Sequence, residues 1–151
     1  MKVASFDIVF QEIPGEVTLA LNISNCPCHC PCCHSQHLAQ DIGEPLDEAL
    51  LDDLIGRYKG LITCVAFMGG DAEPQEVASL AEYVKKGGLK TAWYSGRTIY
   101  PKNPKVLDFL KLGPYVEELG GLKSETTNQR LYKRVGDEWE DITSLFWKKS
   151  L

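Results

Sequence analysis

The chain has 151 residues, 44% hydrophobic and 25% charged, and its 16 basic and 21 acidic residues leave a formal net charge of −5. That composition describes one globular domain long enough to bury a core, and the acidic balance argues against a nucleic-acid partner, which would favour a basic stripe. No apolar run reaches the ~20 residues of a membrane helix and residues 1–10 lack the pattern of a signal peptide, so the expectation is a cytoplasmic protein with reduced thiols and no membrane partner.

Taken in chain order, residues 3–11 and 16–23 read as strands turned by Pro14-Gly15. The next segment, Cys26-Pro27-Cys28-His29-Cys30-Pro31-Cys32-Cys33-His34-Ser35-Gln36, holds five of the six cysteines. Residues 46–58 set Leu46, Leu50, Leu51, Leu54, Ile55 and Tyr58 at helical spacing, and Pro45 suits the first turn of that helix. Residues 61–68 form a buried strand that ends in Gly69-Gly70-Asp71. A helix is expected over 74–86, stopped by Gly87-Gly88, and a second buried strand over 90–95. A short helix around 105–109 and an irregular Gly-rich stretch over 110–123 come next. A hairpin of 130–135 and 138–142 then turns about Gly136-Asp137, and the tail from 144 packs back through Phe146 and Trp147. Strands alternating with helices predict βαβ units and a parallel sheet in a single domain spanning 1–151. Ligands of such sheets gather at the carboxyl ends of the strands, so the cysteine loop and Gly69-Gly70-Asp71 should share one edge.

Within the cysteine loop, Cys26, Cys30 and Cys33 are the one triple spaced C-x-x-x-C-x-x-C. Three thiolates can hold three corners of a [4Fe–4S] cluster, which normally takes four cysteines. The remaining iron then has no ligand from the triple, and an open metal position is where chemistry happens. The amino and carboxylate groups of S-adenosylmethionine form a chelate suited to that position. Gly69-Gly70 would let backbone approach such a ligand closely, and Asp71 or Glu73 could accept hydrogen bonds from its amine.

This arrangement resembles the radical S-adenosylmethionine superfamily. Leu112-Gly113-Pro114-Tyr115-Val116-Glu117-Glu118-Leu119-Gly120-Gly121-Leu122 and Thr126-Thr127-Asn128-Gln129-Arg130-Leu131-Tyr132 resemble, within it, the activating proteins of anaerobic ribonucleoside-triphosphate reductase. The resemblance runs from the cysteine loop to about Tyr132. It implies a shortened, open (βα) partial TIM-like barrel. It implies an activase that removes a hydrogen atom from a backbone glycine of the large reductase, with a flavodoxin or ferredoxin as electron donor. It also implies that Cys26, Cys30 and Cys33 are the cluster ligands, that Cys32, Cys33 and His34 line the S-adenosylmethionine site, and that Gly69, Gly70 and Asp71 hold its methionine end. Trp93, Tyr94 and Ser95 are weaker candidates for the ribose or adenine side. The chain departs from relatives at Ser35, where an Asn is frequent, in the extra thiols Cys28 and Cys32, and in having Pro74 after Ala72-Glu73.

Other readings stand beside this one. Cysteines interleaved with His29, His34 and His37 could bind zinc in a non-catalytic module. Cys28 or Cys32 could complete a cluster in an electron carrier, and the activase of pyruvate formate-lyase is a rival within the superfamily. Cys64 reads as a small core residue, and Trp93 and Tyr94 as core packing by default. Asn128-Gln129-Arg130 reads equally well as an internal brace or as a docking surface.

Overall fold

The computed structural model describes residues 1–24, 42–98, 100–101 and 104–147. Strands β1 (Lys2–Val9) and β2 (Thr18–Ile23) form an antiparallel pair. Gly15 in the connecting turn takes φ 82°, a left-handed value open to glycine. A two-residue strand, β3 (Glu44–Pro45), joins the outer side of β1 through Lys2↔Pro45 and Val3↔Glu44. Pro45 therefore sits at a sheet edge, where a missing N–H is tolerated, and not in the first helical turn. Asp47 caps the helix instead: its carboxylate accepts from Leu50 N–H at 2.8 Å. Helix α1 (Glu48–Arg57) buries Leu51 and Leu54.

Next come β4 (Cys64–Met68), helix α2 (Pro74–Lys86) with proline in its first turn, and β5 (Lys90–Tyr94). A 3-10 turn at Pro104–Val106 leads into β6 (Phe109–Leu112). The hairpin of β7 (Arg130–Val135) and β8 (Glu138–Asp141) and a 3-10 turn at Thr143–Phe146 complete the described chain.

The eight strands lie in one open sheet in the order β3-β1-β2-β4-β5-β6-β7-β8. The pairs β2–β4, β4–β5 and β5–β6 are parallel, and the outer pairs are antiparallel. This corrects the expectation of a shortened, open (βα) partial TIM-like barrel. A barrel needs a helical crossover after each strand, whereas here β5 reaches β6 through a 3-10 turn and β6 pairs antiparallel with β7. Among the described residues there are two α-helices beside eight strands. The expected helix around 105–109 is that 3-10 turn, and the stretch after it, expected to be irregular, begins as strand β6. All four residues of β6 are buried, so it carries no alternation for a sequence reading to detect.

One sheet face carries Leu19, Leu21, Val65, Phe67, Trp93 and Leu110 against Leu51, Leu54, Val77, Leu80 and Val84 of the helices. Burial of each such large side chain contributes roughly 1.5–3 kcal/mol. The other face packs Ala66, Ala92, Phe109 and Leu131 beneath Ile13, Ile142 and Phe146.

Candidate functional site

The parallel strands put their carboxyl ends on one edge, in the register Asn22↔Met68 and Met68↔Tyr94. The predicted cluster ligands Cys26, Cys30 and Cys33, the cosubstrate neighbours Cys32 and His34, and Cys28, His29 and His37 lie outside the described residues. Both stems of their segment are described. Val3 pairs with Ile23 on one side and Glu44 on the other. Ser24 N–H, just past β2, donates to Lys2 O at 3.0 Å. At the return, Gly43 takes φ 103°, and a Cβ there would lie 2.1 Å from Val3 O. The cysteine segment therefore leaves and re-enters the fold beside Lys2 and Val3, at the edge where β2 ends.

Gly69-Gly70-Asp71 leaves β4 at that same edge. Gly69 has φ 116°, and a Cβ on it would stand 3.1 Å from Ile23 O, so glycine allows this turn to lie against the end of β2. Gly69 N–H donates to Tyr94 O at 3.1 Å, and the Trp93 indole donates to Gly69 O at 2.7 Å. Asp71 is 1% exposed. One of its oxygens accepts from the Ser95 hydroxyl and the other from Gly96 N–H at 2.9 Å. Glu73, by contrast, is half exposed and stands 2.9 Å from the Met1 amino group, whose pKa is raised chiefly by that hydrogen bond. The two candidate acids thus face different neighbours: Asp71 turns inward to β5, and Glu73 turns to the chain terminus.

Of the weaker candidates, Trp93 packs in the helix-side core, while the Tyr94 hydroxyl donates to Glu12 O, and burial pushes its pKa up. Ser95, 2% exposed, is the partner of Asp71. The structure also brings in Lys111, which sequence reasoning missed. Its signal was a single cation inside the apolar run Phe109-Leu110-Lys111-Leu112. Lys111 is 9% exposed and donates to Gly113 O at 2.7 Å and Ser95 O at 3.3 Å. A cavity of about 550 Å³ opens beside it, walled by Tyr94, Tyr115, Gln129 and Phe146.

The loop from Gly113 to Gln129 is held by its own polar side chains. Thr126 donates to Leu119 O at 2.7 Å and Thr127 to Gly120 O at 3.0 Å. Asn128 donates to Pro114 O at 3.2 Å and Gln129 to Gly113 O at 3.4 Å. Thr126-Thr127-Asn128-Gln129 is therefore an internal brace. In the tail, Trp147 packs back by donating to Leu122 O at 2.9 Å.

Cys64 opens β4 opposite Thr18, at the far end of the strand from Gly69. It is fully buried, and burial pushes its thiol up to about 12. A neutral, enclosed thiol at the opposite edge is a core residue and no ligand for the cysteine loop. Among the described residues no three His, Cys, Asp or Glu side chains converge to hold a metal, and no helix is long and apolar enough to cross a membrane. The model of a family described as a 4Fe-4S single cluster domain matches residues 14–132, which include β2, the cysteine loop, Gly69-Gly70-Asp71 and the first half of β7. No curated protein and no solved structure matches the chain.

Proposed function

The chain belongs to the 4Fe-4S single cluster domain family, and on that premise we propose that it is a radical S-adenosylmethionine activase of a glycyl-radical enzyme. The observation that carries the reading is the meeting of two segments at one sheet edge. The cysteine segment departs from the end of β2, and Gly69-Gly70-Asp71 departs from the end of β4 with Gly69 against Ile23.

The donor set fits the group. Sulfur ligands select iron–sulfur clusters, and Cys26, Cys30 and Cys33 supply three of the four thiolates that a [4Fe–4S] cluster normally takes. With Cys64 enclosed at the opposite edge, the sixth cysteine does not close the set. A cluster bound there supplies one electron at low potential, which the sulfonium of S-adenosylmethionine is built to accept.

The chain's own residues bind and orient. Gly69 and Gly70 let the turn pack tightly against Ile23 and Val77 at the edge where the cosubstrate's methionine end would bind, and Cys32, Cys33 and His34 would line the same site. On this reading Asp71, held by Ser95 and Gly96, is the acid that would accept from the cosubstrate's amine. The protein substrate in this reading is the large subunit of anaerobic ribonucleoside-triphosphate reductase, supported by the resemblance of residues 112–132. A flavodoxin or ferredoxin donor and a reducing cytoplasm complete it.

Anaerobic reconstitution with iron and sulfide should load about four irons per chain. Under reductant, S-adenosylmethionine should then yield methionine and 5′-deoxyadenosine, and Cys30→Ala should yield neither. An intact cluster whose electron resonance spectrum ignores S-adenosylmethionine would overturn the reading and leave an electron carrier closed by Cys28 or Cys32.

A further inference from the structure

We propose that Ser95 is a positioning residue that ties the buried carboxylate of Asp71 to the buried Lys111, locking the chain segments that leave β4, β5 and β6 into one unit. The functional part of this inference rests on the activase reading; the structural part does not.

Seven hydrogen bonds compose the lock. The Ser95 hydroxyl donates to one Asp71 oxygen, and Gly96 N–H donates to the other at 2.9 Å. The same Ser95 oxygen accepts from Arg97 N–H at 3.1 Å. The Ser95 carbonyl accepts from Lys111 Nζ at 3.3 Å, and Ser95 N–H donates to Lys111 O at 2.9 Å. Lys111 then reaches Gly113 O at 2.7 Å, and Gly113 N–H donates to Arg97 O at 2.7 Å. Ser95, Asp71 and Lys111 are 2%, 1% and 9% exposed.

Two buried groups of opposite charge, Asp71 just past β4 and Lys111 within β6, are thus bridged through one small residue. Hydrogen bonds to charged groups in a low-dielectric interior are strong, and a satisfied network of them specifies one arrangement. Gly96 and Arg97 lie past the last residue of β5, so protection of their amides depends on these side-chain acceptors. In the activase reading, the lock fixes the carboxylate that meets the cosubstrate's amine. Releasing it should weaken cosubstrate binding more than turnover.

The test uses the iron–sulfide-reconstituted protein, with hydrogen exchange resolved at single amides and initial rates of 5′-deoxyadenosine formation. Ser95→Ala should speed exchange at both Gly96 and Arg97 by about tenfold through local opening. Asp71→Asn keeps an oxygen for the Ser95 hydroxyl but turns an amide towards Gly96 N–H, so exchange should rise at Gly96 and stay low at Arg97. In both variants KM for S-adenosylmethionine should rise about tenfold, with kcat within about twofold. Unchanged exchange, or an even rise across the whole sheet, would overturn the lock. The expected exchange pattern with unchanged KM would overturn its positioning role. A wild-type protein that fails to cleave S-adenosylmethionine would overturn the activase reading, and the exchange pattern would still decide the lock.

Discussion

The indole of Trp93, a core residue on the helix side of the sheet, donates a 2.7 Å hydrogen bond to the carbonyl of Gly69, the first residue of the turn that leaves β4. A packing residue on β5 therefore fixes the turn at the end of its neighbour. Trp93→Phe keeps most of the apolar burial but removes the donor, and it should cost about 1–3 kcal/mol, mostly through the carbonyl left without it. Urea unfolding measures the loss. Backbone resonances of Gly69 and Gly70 should shift more than those of α1.

Gly43 supports the return stem of the cysteine segment. A Cβ at that position would lie 2.1 Å from Val3 O, and its φ of 103° disfavours any side chain. Gly43→Ala should unpair β3 from β1 and leave the cysteine segment tethered at one end only. Reconstituted protein should then hold less than about half the wild-type iron while the far hairpin of β7 and β8 keeps its dispersion in NMR spectra. Full iron loading would contradict a role for this stem.

Cys64 makes a prediction in pH. Its thiol is raised from an ordinary 9.0 to about 12, burial being the largest cause. The neutral thiol is the folded form, so its contribution to stability is complete below pH 9 and falls as pH rises from 9 towards 12. In that window the unfolded state has lost a proton that the fold retains. The slope approaches about −1.4 kcal/mol per pH unit. Cys64→Ala should flatten this limb of the stability profile and leave iron content unchanged. Iodoacetamide at neutral pH should reach Cys64 only on unfolding.

The internal brace predicts the effect of Thr127→Val. Thr127 is 4% exposed; its hydroxyl donates to Gly120 O at 3.0 Å and accepts from Gln129 N–H at 3.0 Å. A valine of similar shape leaves both backbone groups without this partner, which should cost about 1–3 kcal/mol. Faster exchange at the Gln129 amide and an earlier urea midpoint would register it; unchanged values would mean that water replaces the hydroxyl.

Local rules made much of the chain legible. Pro74 at the start of α2, Gly87 at its end, and Gly136-Asp137 between β7 and β8 act within a few residues, so their signals survive in a one-dimensional reading. The cysteine spacing is equally local, and by itself it points to an iron–sulfur protein. Pro45 misled because proline is acceptable both in a first helical turn and at a sheet edge, and only the pairing with Lys2 decides between them. Strand β6 was invisible because burial on both faces erases the alternation that marks a strand.

The barrel expectation failed for a related reason. The family resemblance implied that shape, but pairing partners beyond β5 are chosen by the finished sheet. By itself the sequence determined the iron–sulfur class, helices α1 and α2 and the main turns, because each depends on neighbours along the chain. Only the tertiary structure decided the open mixed sheet, the inward turn of Asp71 towards a serine 24 residues away, and the burial of Lys111 at the same edge. Those depend on groups that meet only after the strands have aligned.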